Sequence, residues 1–204
     1  MSRPDASIDP RILESAKNEF LTYGYEKAST NRICKNACVT SGALYKRFAG
    51  KDELFCSLIS DLMSLIAERT THVAEHYETA KKTRSADDFS AAMEYEKRCY
   101  IELLFEYYEK CTLFFCKSDG SSVERMLSAM MKKKTEVTAA FLQSIAKKTV
   151  DTNAIQILMS TQFYFYRQLL DSGMEKDAAV ACMETVEKYN EAGWRRIFED
   201  LEVG

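Results

Sequence analysis

Ile33-Cys34-Lys35-Asn36-Ala37-Cys38-Val39-Thr40-Ser41-Gly42-Ala43-Leu44-Tyr45-Lys46-Arg47-Phe48 is the stretch that decides the fold. Thr40 can cap a helix, because its hydroxyl accepts a backbone N–H that the first turn leaves without a partner. Leu44 and Phe48, four apart, share one face and turn inward, and Val39 can staple against Leu44. Ala37 is small where a neighbouring helix must come close. The pattern predicts a short helix, a tight turn of about four residues and a second short helix. That second helix opens on the small side chains of Ser41, Gly42 and Ala43, which let a helix end enter a major groove closely. Tyr45, Lys46 and Arg47 follow and are long enough to reach base edges or flanking phosphates. An ordinary solvated Lys-Arg surface accounts for the same charges, so the spacing leaves both readings open.

The punctuation on either side is helical. Asp9 is placed to cap a first helix, with Pro10 at its first position and Ile8 stapling Leu13. Ile12, Ala16 and Phe20 share a face, and Gly24 supplies the left-handed residue that ends the helix. Ser29 or Thr30 starts the next one. Gly50-Lys51-Asp52-Glu53 opens a fourth helix towards Lys82, with acids at the positive end of its dipole and Leu54, Leu58, Leu62 and Ile66 facing inward. Ser85 with Asp88 starts a helix expected to run through Phe115, and Ser121 with Glu124 starts another. An apolar helix follows over 153–171, ended by Gly173, and a last one covers about 175–202. Both prolines lie in the first ten residues, so beyond Arg11 no backbone donor is missing. Apolar residues recur at three and four and do not alternate, and an all-α fold follows.

The 204 residues, 46% hydrophobic and 29% charged, suffice for a real core and are ordinary for a globular chain. The net charge of −3 is uneven: nine Lys and Arg against five acids up to Lys51 leave +4, and the remaining 19 bases and 26 acids leave −7. A basic head on an acidic body suits a phosphate backbone as partner. No run of 18 uncharged apolar residues exists and the first ten residues hold no apolar core of a secretory signal. Seven cysteines (34, 38, 56, 99, 111, 116, 182), odd in number and irregular in spacing, read as reduced thiols. A cytoplasmic chain without a membrane partner is the expectation.

Enzyme signatures are scarce. No nucleophile elbow, phosphate-binding lysine loop or dinucleotide-binding glycine motif is found, so no catalytic residue or cofactor is assigned. His72-Val73-Ala74-Glu75-His76 has the spacing of a zinc hydrolase helix, but these are the only two histidines. A metal-dependent hydrolase using His72, Glu75 and His76 is therefore a distant alternative, and no metal site is assigned. Cys34 with Cys38, and Cys111 with Cys116, are wrongly spaced for a two-cysteine metal motif.

Arg11-Ile12-Leu13-Glu14-Ser15-Ala16, Phe20, Gly24-Tyr25, Ser29-Thr30, Ile33, Ala37 through Phe48, and Lys51-Asp52-Glu53-Leu54 together resemble the N-terminal domain of tetracycline-repressor (TetR) family regulators. The ending Leu44-Tyr45-x-x-Phe48-x-x-Lys51 is its most specific part. Cys38 departs from the glycine usual there, where a positive φ disfavours any residue with a β-carbon. A helical adaptor that has lost DNA affinity is the alternative this departure raises.

The resemblance implies a three-helix helix-turn-helix domain over 1–51 and a helical ligand-binding and dimerisation domain over 52–204. It puts Thr30, Thr40, Tyr45 and Lys51 on phosphates, with Arg47 added on charge, and Ser41, Gly42, Ala43 and Lys46 on base edges. It implies a homodimer through the last two helices. The penultimate helix fits, because Ile155, Leu158, Met159, Phe163, Tyr166 and Leu170, with Phe165 and Leu169, make it apolar on more than one face. Ala178, Ala181 and Gly193 permit close approach on the last helix. For an effector, Phe89, Met93, Glu96, Tyr100, Leu103, Tyr107, Cys111 and Phe114 fall on one helical face, with Met159, Gln162, Phe163 and Tyr166 able to oppose it. Such aromatics are more often core. Glu96 is the odd member, a carboxylate that must be paired, hydrated or facing a ligand. The whole reads as a ligand-responsive transcriptional regulator, a repressor released from a palindromic duplex operator by an unidentified small molecule.

Overall fold

The protein, here a computed structural model, is described over residues 8–83 and 85–202; the side chains at 8, 86 and 162 lie outside the description, and with them the expected Ile8–Leu13 staple. Among the described residues the chain forms α1 (Ile8–Lys27), α2 (Thr30–Asn36), α3 (Ser41–Tyr45), α4 (Lys51–Thr83), α5 (Ala86–Glu106), α6 (Tyr108–Cys116), α7 (Ser122–Ile145), α8 (Thr152–Ser172) and α9 (Lys176–Asp200), with no strand. No described helix is long and apolar enough to cross a membrane.

Most helix ends are where the punctuation puts them. Gly24, at φ 72°, interrupts the regular run of α1, and one further turn reaches Lys27. Ser85 Oγ accepts the Asp88 N–H, and Gly173, at φ 64°, ends α8. Asp151, just ahead of the helix expected over 153–171, caps α8 by accepting from the Asn153 and Ala154 N–H groups. Two expectations change. Asp9 sits inside the first turn of α1, and its carboxylate takes the Arg47 guanidinium instead of capping. The helix expected through Phe115 breaks at Tyr107 (φ −121°, ψ 41°) although no glycine or proline is nearby.

The break falls where the chain passes from one compact unit to another. One comprises the residues up to Ser64 with Glu109–Leu127, and the other Leu65–Tyr108 with residues from Ser128 onward. The chain thus changes unit next to Tyr107. Beyond it, Cys111, Leu113 and Phe114 enter the core of the first unit, whereas the Tyr108 hydroxyl donates to the Leu170 carbonyl (2.6 Å) in the second. Each side of the break follows its own core, and a tertiary demand of this kind overrides a continuous helical pattern.

In the first unit Ile12, Ala16 and Phe20 of α1 bury with Ile33, Leu44, Leu54, Phe55, Ile59 and Leu62. The Phe55 ring meets those of Phe20 and Tyr25 edge-on at 4.9 and 5.3 Å. Leu58 and Phe48, both expected inward, are only half-buried, and Phe55 and Ile59 take the inward positions beside Leu54 and Leu62. The second unit is built around Phe89, which stacks on Phe141 (4.8 Å) and meets Phe198 edge-on (5.7 Å), with Leu142, Ile155 and Met159 in the same cluster.

Candidate nucleic-acid interface and effector wall

The turn between α2 and α3 is held by backbone bonds. Val39 N–H donates to the Cys34 carbonyl (3.0 Å) and Cys38 N–H to that of Lys35 (3.2 Å). Cys38 adopts φ 54°, the left-handed conformation that the unusual residue at this place foreshadowed. A β-carbon there costs about 1–2 kcal/mol. Thr40 Oγ1 accepts the Ala43 N–H (3.2 Å), capping α3, and Leu44 is fully buried. With that anchor inward, Thr40, Ser41, Gly42 and Lys46 are exposed and Ala43 is half-buried. Tyr45 is 51% exposed, and its hydroxyl lies 3.3 Å from that of Thr30 at the start of α2. Five of the nine residues expected to touch DNA are thus exposed together, with Thr30 and Ala43 half-buried beside them.

Lys51 and Arg47 are engaged inside the unit. Lys51 Nζ donates to the carbonyls of Tyr25 (2.8 Å), Glu26 (3.2 Å) and Ala28 (3.3 Å) and lies 4.5 Å from the centre of the Tyr25 ring. A cation at the start of α4 faces the positive end of that helix dipole; the carbonyls that follow α1's glycine offset this. Arg47 bonds Asp9 and donates from Nη1 to the Ala43 carbonyl (3.1 Å). The sequence reading missed Glu19, a buried carboxylate in this unit. Its signal was available: it falls seven after Ile12 and three after Ala16, on the apolar face of α1.

The residues proposed for an effector are dispersed through the second unit. Glu96 is 5% exposed, accepting from the Tyr77 hydroxyl (2.8 Å) and from Lys134 Nζ. Burial first, then the Glu96 charge, push the Tyr77 phenol well above its ordinary value, and the same causes raise Tyr100. Tyr100 lies with its hydroxyl 3.5 Å from that of Thr70 and its ring centre 6.2 Å from that of Tyr166. Leu103 is buried, and Tyr107 is half-buried at the helix break. Met159 belongs to the Phe89 cluster. Phe163 lines an open depression along α8 with Asn153, Ile157, Ser160, Tyr164 and Arg167. The Gln162 side chain lies outside the described residues.

His72 pairs with Glu75 (3.8 Å) and His76 stacks on Tyr95 (3.9 Å between ring centres). No three His, Cys, Asp or Glu side chains are grouped to hold a metal among the described residues. No disulfide joins any of the seven cysteines, and burial pushes the Cys111 thiol up to about 12.

Among the described residues the chain is all-helical, and its first unit presents a capped helix-turn-helix with Leu44 buried and the rest of α3 turned outward. Residues 12–58 match the family model described as bacterial regulatory proteins, tetR family. That match lies within the first unit. Over 55 residues it is 36% identical to the A-factor receptor protein of Streptomyces griseus, a match covering 27% of this chain and 20% of that one. The chain spans between a fifth and about half the length of the curated relatives it matches. The fold extends further. A TetR-like transcriptional regulator from Rhodococcus superposes with a TM-score of 0.55 at 16% identity, covering 94% of this chain and all of the other. The transcriptional regulator FadR from Bacillus subtilis, solved in complex with stearoyl-CoA, gives 0.50 at 14%, covering 88% and 96%.

Proposed function

We propose that this protein is a ligand-responsive, DNA-binding transcriptional regulator, a repressor that a small molecule releases from a palindromic operator. The observation that carries the reading is the surface around α3, where Leu44 is buried and Thr40, Ser41, Gly42, Tyr45 and Lys46 face out. Thr30, Thr40 and Tyr45 hold phosphates and set the register. Lys46 is the strong donor towards base edges, with guanine acceptors its natural target. Arg47 and Lys51 reach the duplex only by giving up bonds they already make, so their main work is to shape the head. The head is assigned to 1–51 and the effector and dimer functions to 52–204.

Two heads reading a palindrome need a twofold mate, and α8 with α9 is the surface assigned to it. Ile157 (67% exposed), Tyr164 (60%) and Tyr189 (80%) leave apolar area there that the chain itself does not cover. The effector is assigned to the wall of Glu96, Tyr100, Leu103, Tyr107, Met159, Gln162, Phe163 and Tyr166. That a regulator of similar fold was solved with an acyl-CoA supports a small organic ligand in such a body. The ligand lowers operator affinity by binding the DNA-bound and free states unequally. The chain acts by binding and not by catalysis.

Footprinting on the DNA upstream of its own gene, across a salt series and with candidate compounds, tests this. A protected palindrome whose affinity falls steeply with salt is expected. In a site selection, Lys46→Ala relaxes preference at one base step. No duplex bound at low ionic strength overturns the regulator in favour of the adaptor, and an unaltered preference in Lys46→Ala overturns its role.

A further inference from the structure

α2 opens on a cap that another helix completes. Ser29 caps it by accepting the Arg32 N–H (3.4 Å). In the reciprocal form of such a cap, the third residue of the helix is Glu or Gln and reaches back to the cap's own N–H. Here that residue is Arg32, which has no acceptor to offer. The missing carboxylate arrives from α1. Glu19 Oε1 accepts the Ser29 N–H (2.8 Å) and Arg32 Nε (2.8 Å), and Arg32 Nη2 lies 2.5 Å from the same oxygen. Arg32 is steadied in turn, donating from Nη2 to the Lys27 carbonyl (3.0 Å) with its guanidinium 4.4 Å from the centre of the Tyr23 ring. Glu19 is 4% exposed, so it does not contact DNA itself. A buried carboxylate demands such donors, and this demand fixes α1 against the first turn of α2.

The residue after the cap is Thr30, whose hydroxyl meets that of Tyr45. We propose that Glu19 is a positioning residue for nucleic-acid binding, a cap supplied from one helix to another that sets where Thr30, and through it Tyr45, meets a phosphate. This rests on the DNA-binding reading above.

The test is a double-mutant cycle on affinity for a mixed-sequence duplex at low ionic strength, using the full chain, Glu19→Ala, Thr30→Ala and the double variant. Glu19→Ala is expected to weaken binding about tenfold in the wild-type background and less than about twofold beside Thr30→Ala. Glu19→Gln, which still accepts the Ser29 N–H, restores part of the loss. A helix that merely became less stable would lose the same factor in both backgrounds; that additivity, or no loss at all, overturns the proposal. Should Glu19→Ala fail to fold by circular dichroism, Arg32→Gln removes the other end of the bridge at a half-exposed site and must show the same dependence on Thr30. A wild-type protein that ignores the duplex overturns the DNA-binding reading, a result distinct from additivity.

Discussion

The first unit fixes its short helices with polar side chains at their ends, whereas the second buries a carboxylate between the interiors of two long helices and leaves apolar surface uncovered. Around the turn, Thr40 caps α3, Glu19 completes the cap of α2, and Lys51 collects carbonyls at the end of α1. Each contact fixes where a short helix begins or stops, and helices of five and seven residues need that help because isolated short helices are marginal. In the second unit Glu96 sits within α5 and Lys134 within α7, both helices long enough to stand on their packing, and the pair joins them side by side. Its exposed apolar residues lie on α8 and α9, the surface proposed above for a partner copy. A polar group at a helix end orients a surface; one between helix interiors holds a core in register.

The comparison can be broken in several places. The largest effect is expected on the uncovered face. Ile157→Glu with Tyr164→Glu should raise the self-association constant for dissociation at least about a hundredfold, roughly 3 kcal/mol, because charges would be buried at the centre of the interface. Sedimentation over a concentration series measures it, and an unchanged mass removes α8 from the interface. Next, Lys134→Met leaves the Glu96 carboxylate buried with Tyr77 and should cost about 3 kcal/mol in urea unfolding, the low end for a buried pair because Lys134 is itself partly exposed. Lys51→Met, in the first unit, should cost only about 2 kcal/mol, since backbone carbonyls are less demanding than a buried charge. Equal losses would erase the distinction between the two kinds of contact.

A smaller effect is expected at high pH. The folded chain holds the Tyr77 phenol above its ordinary 10.0, so its contribution to stability is complete below that pH and is lost as the pH climbs beyond it. Urea midpoints should fall steeply on the alkaline side, and Tyr77→Phe should flatten that fall after losing about 1 kcal/mol at neutral pH with its hydrogen bond. A fall of the same steepness in both proteins would assign it to other groups. The smallest change is a gain. Cys38→Gly relieves the left-handed strain and should stabilise the head by about 1 kcal/mol, less the freedom glycine has when unfolded. A thermal melt that does not rise shows that the surroundings already absorb the strain.

Local chemistry made much of the head legible. Thr40, Leu44 and Gly24 act where cap, anchor and C-terminal glycine rules put them, and the positive φ at Cys38 is the one that the family resemblance implied. The burial of Glu19 was legible from its place on the apolar face of α1, but its partners lie ten and thirteen residues on, where local rules do not look. In the body, periodicity found the buried face of α5 but could not divide it into core and pocket: Phe89 and Met159 pack in one aromatic cluster, and Glu96 already has two donors.

Helix content, the turn between α2 and α3 and the asymmetry of charge were written in residue types and short spacings, because caps, staples and the scarcity of proline act within one or two turns of chain. The break at Tyr107, the withdrawal of Arg47 and Lys51 from the outer surface and the engagement of Glu96 were decided in three dimensions. Each depends on which distant group arrives to satisfy a charge, a carbonyl or an apolar face, and no run of neighbouring residues carries that information.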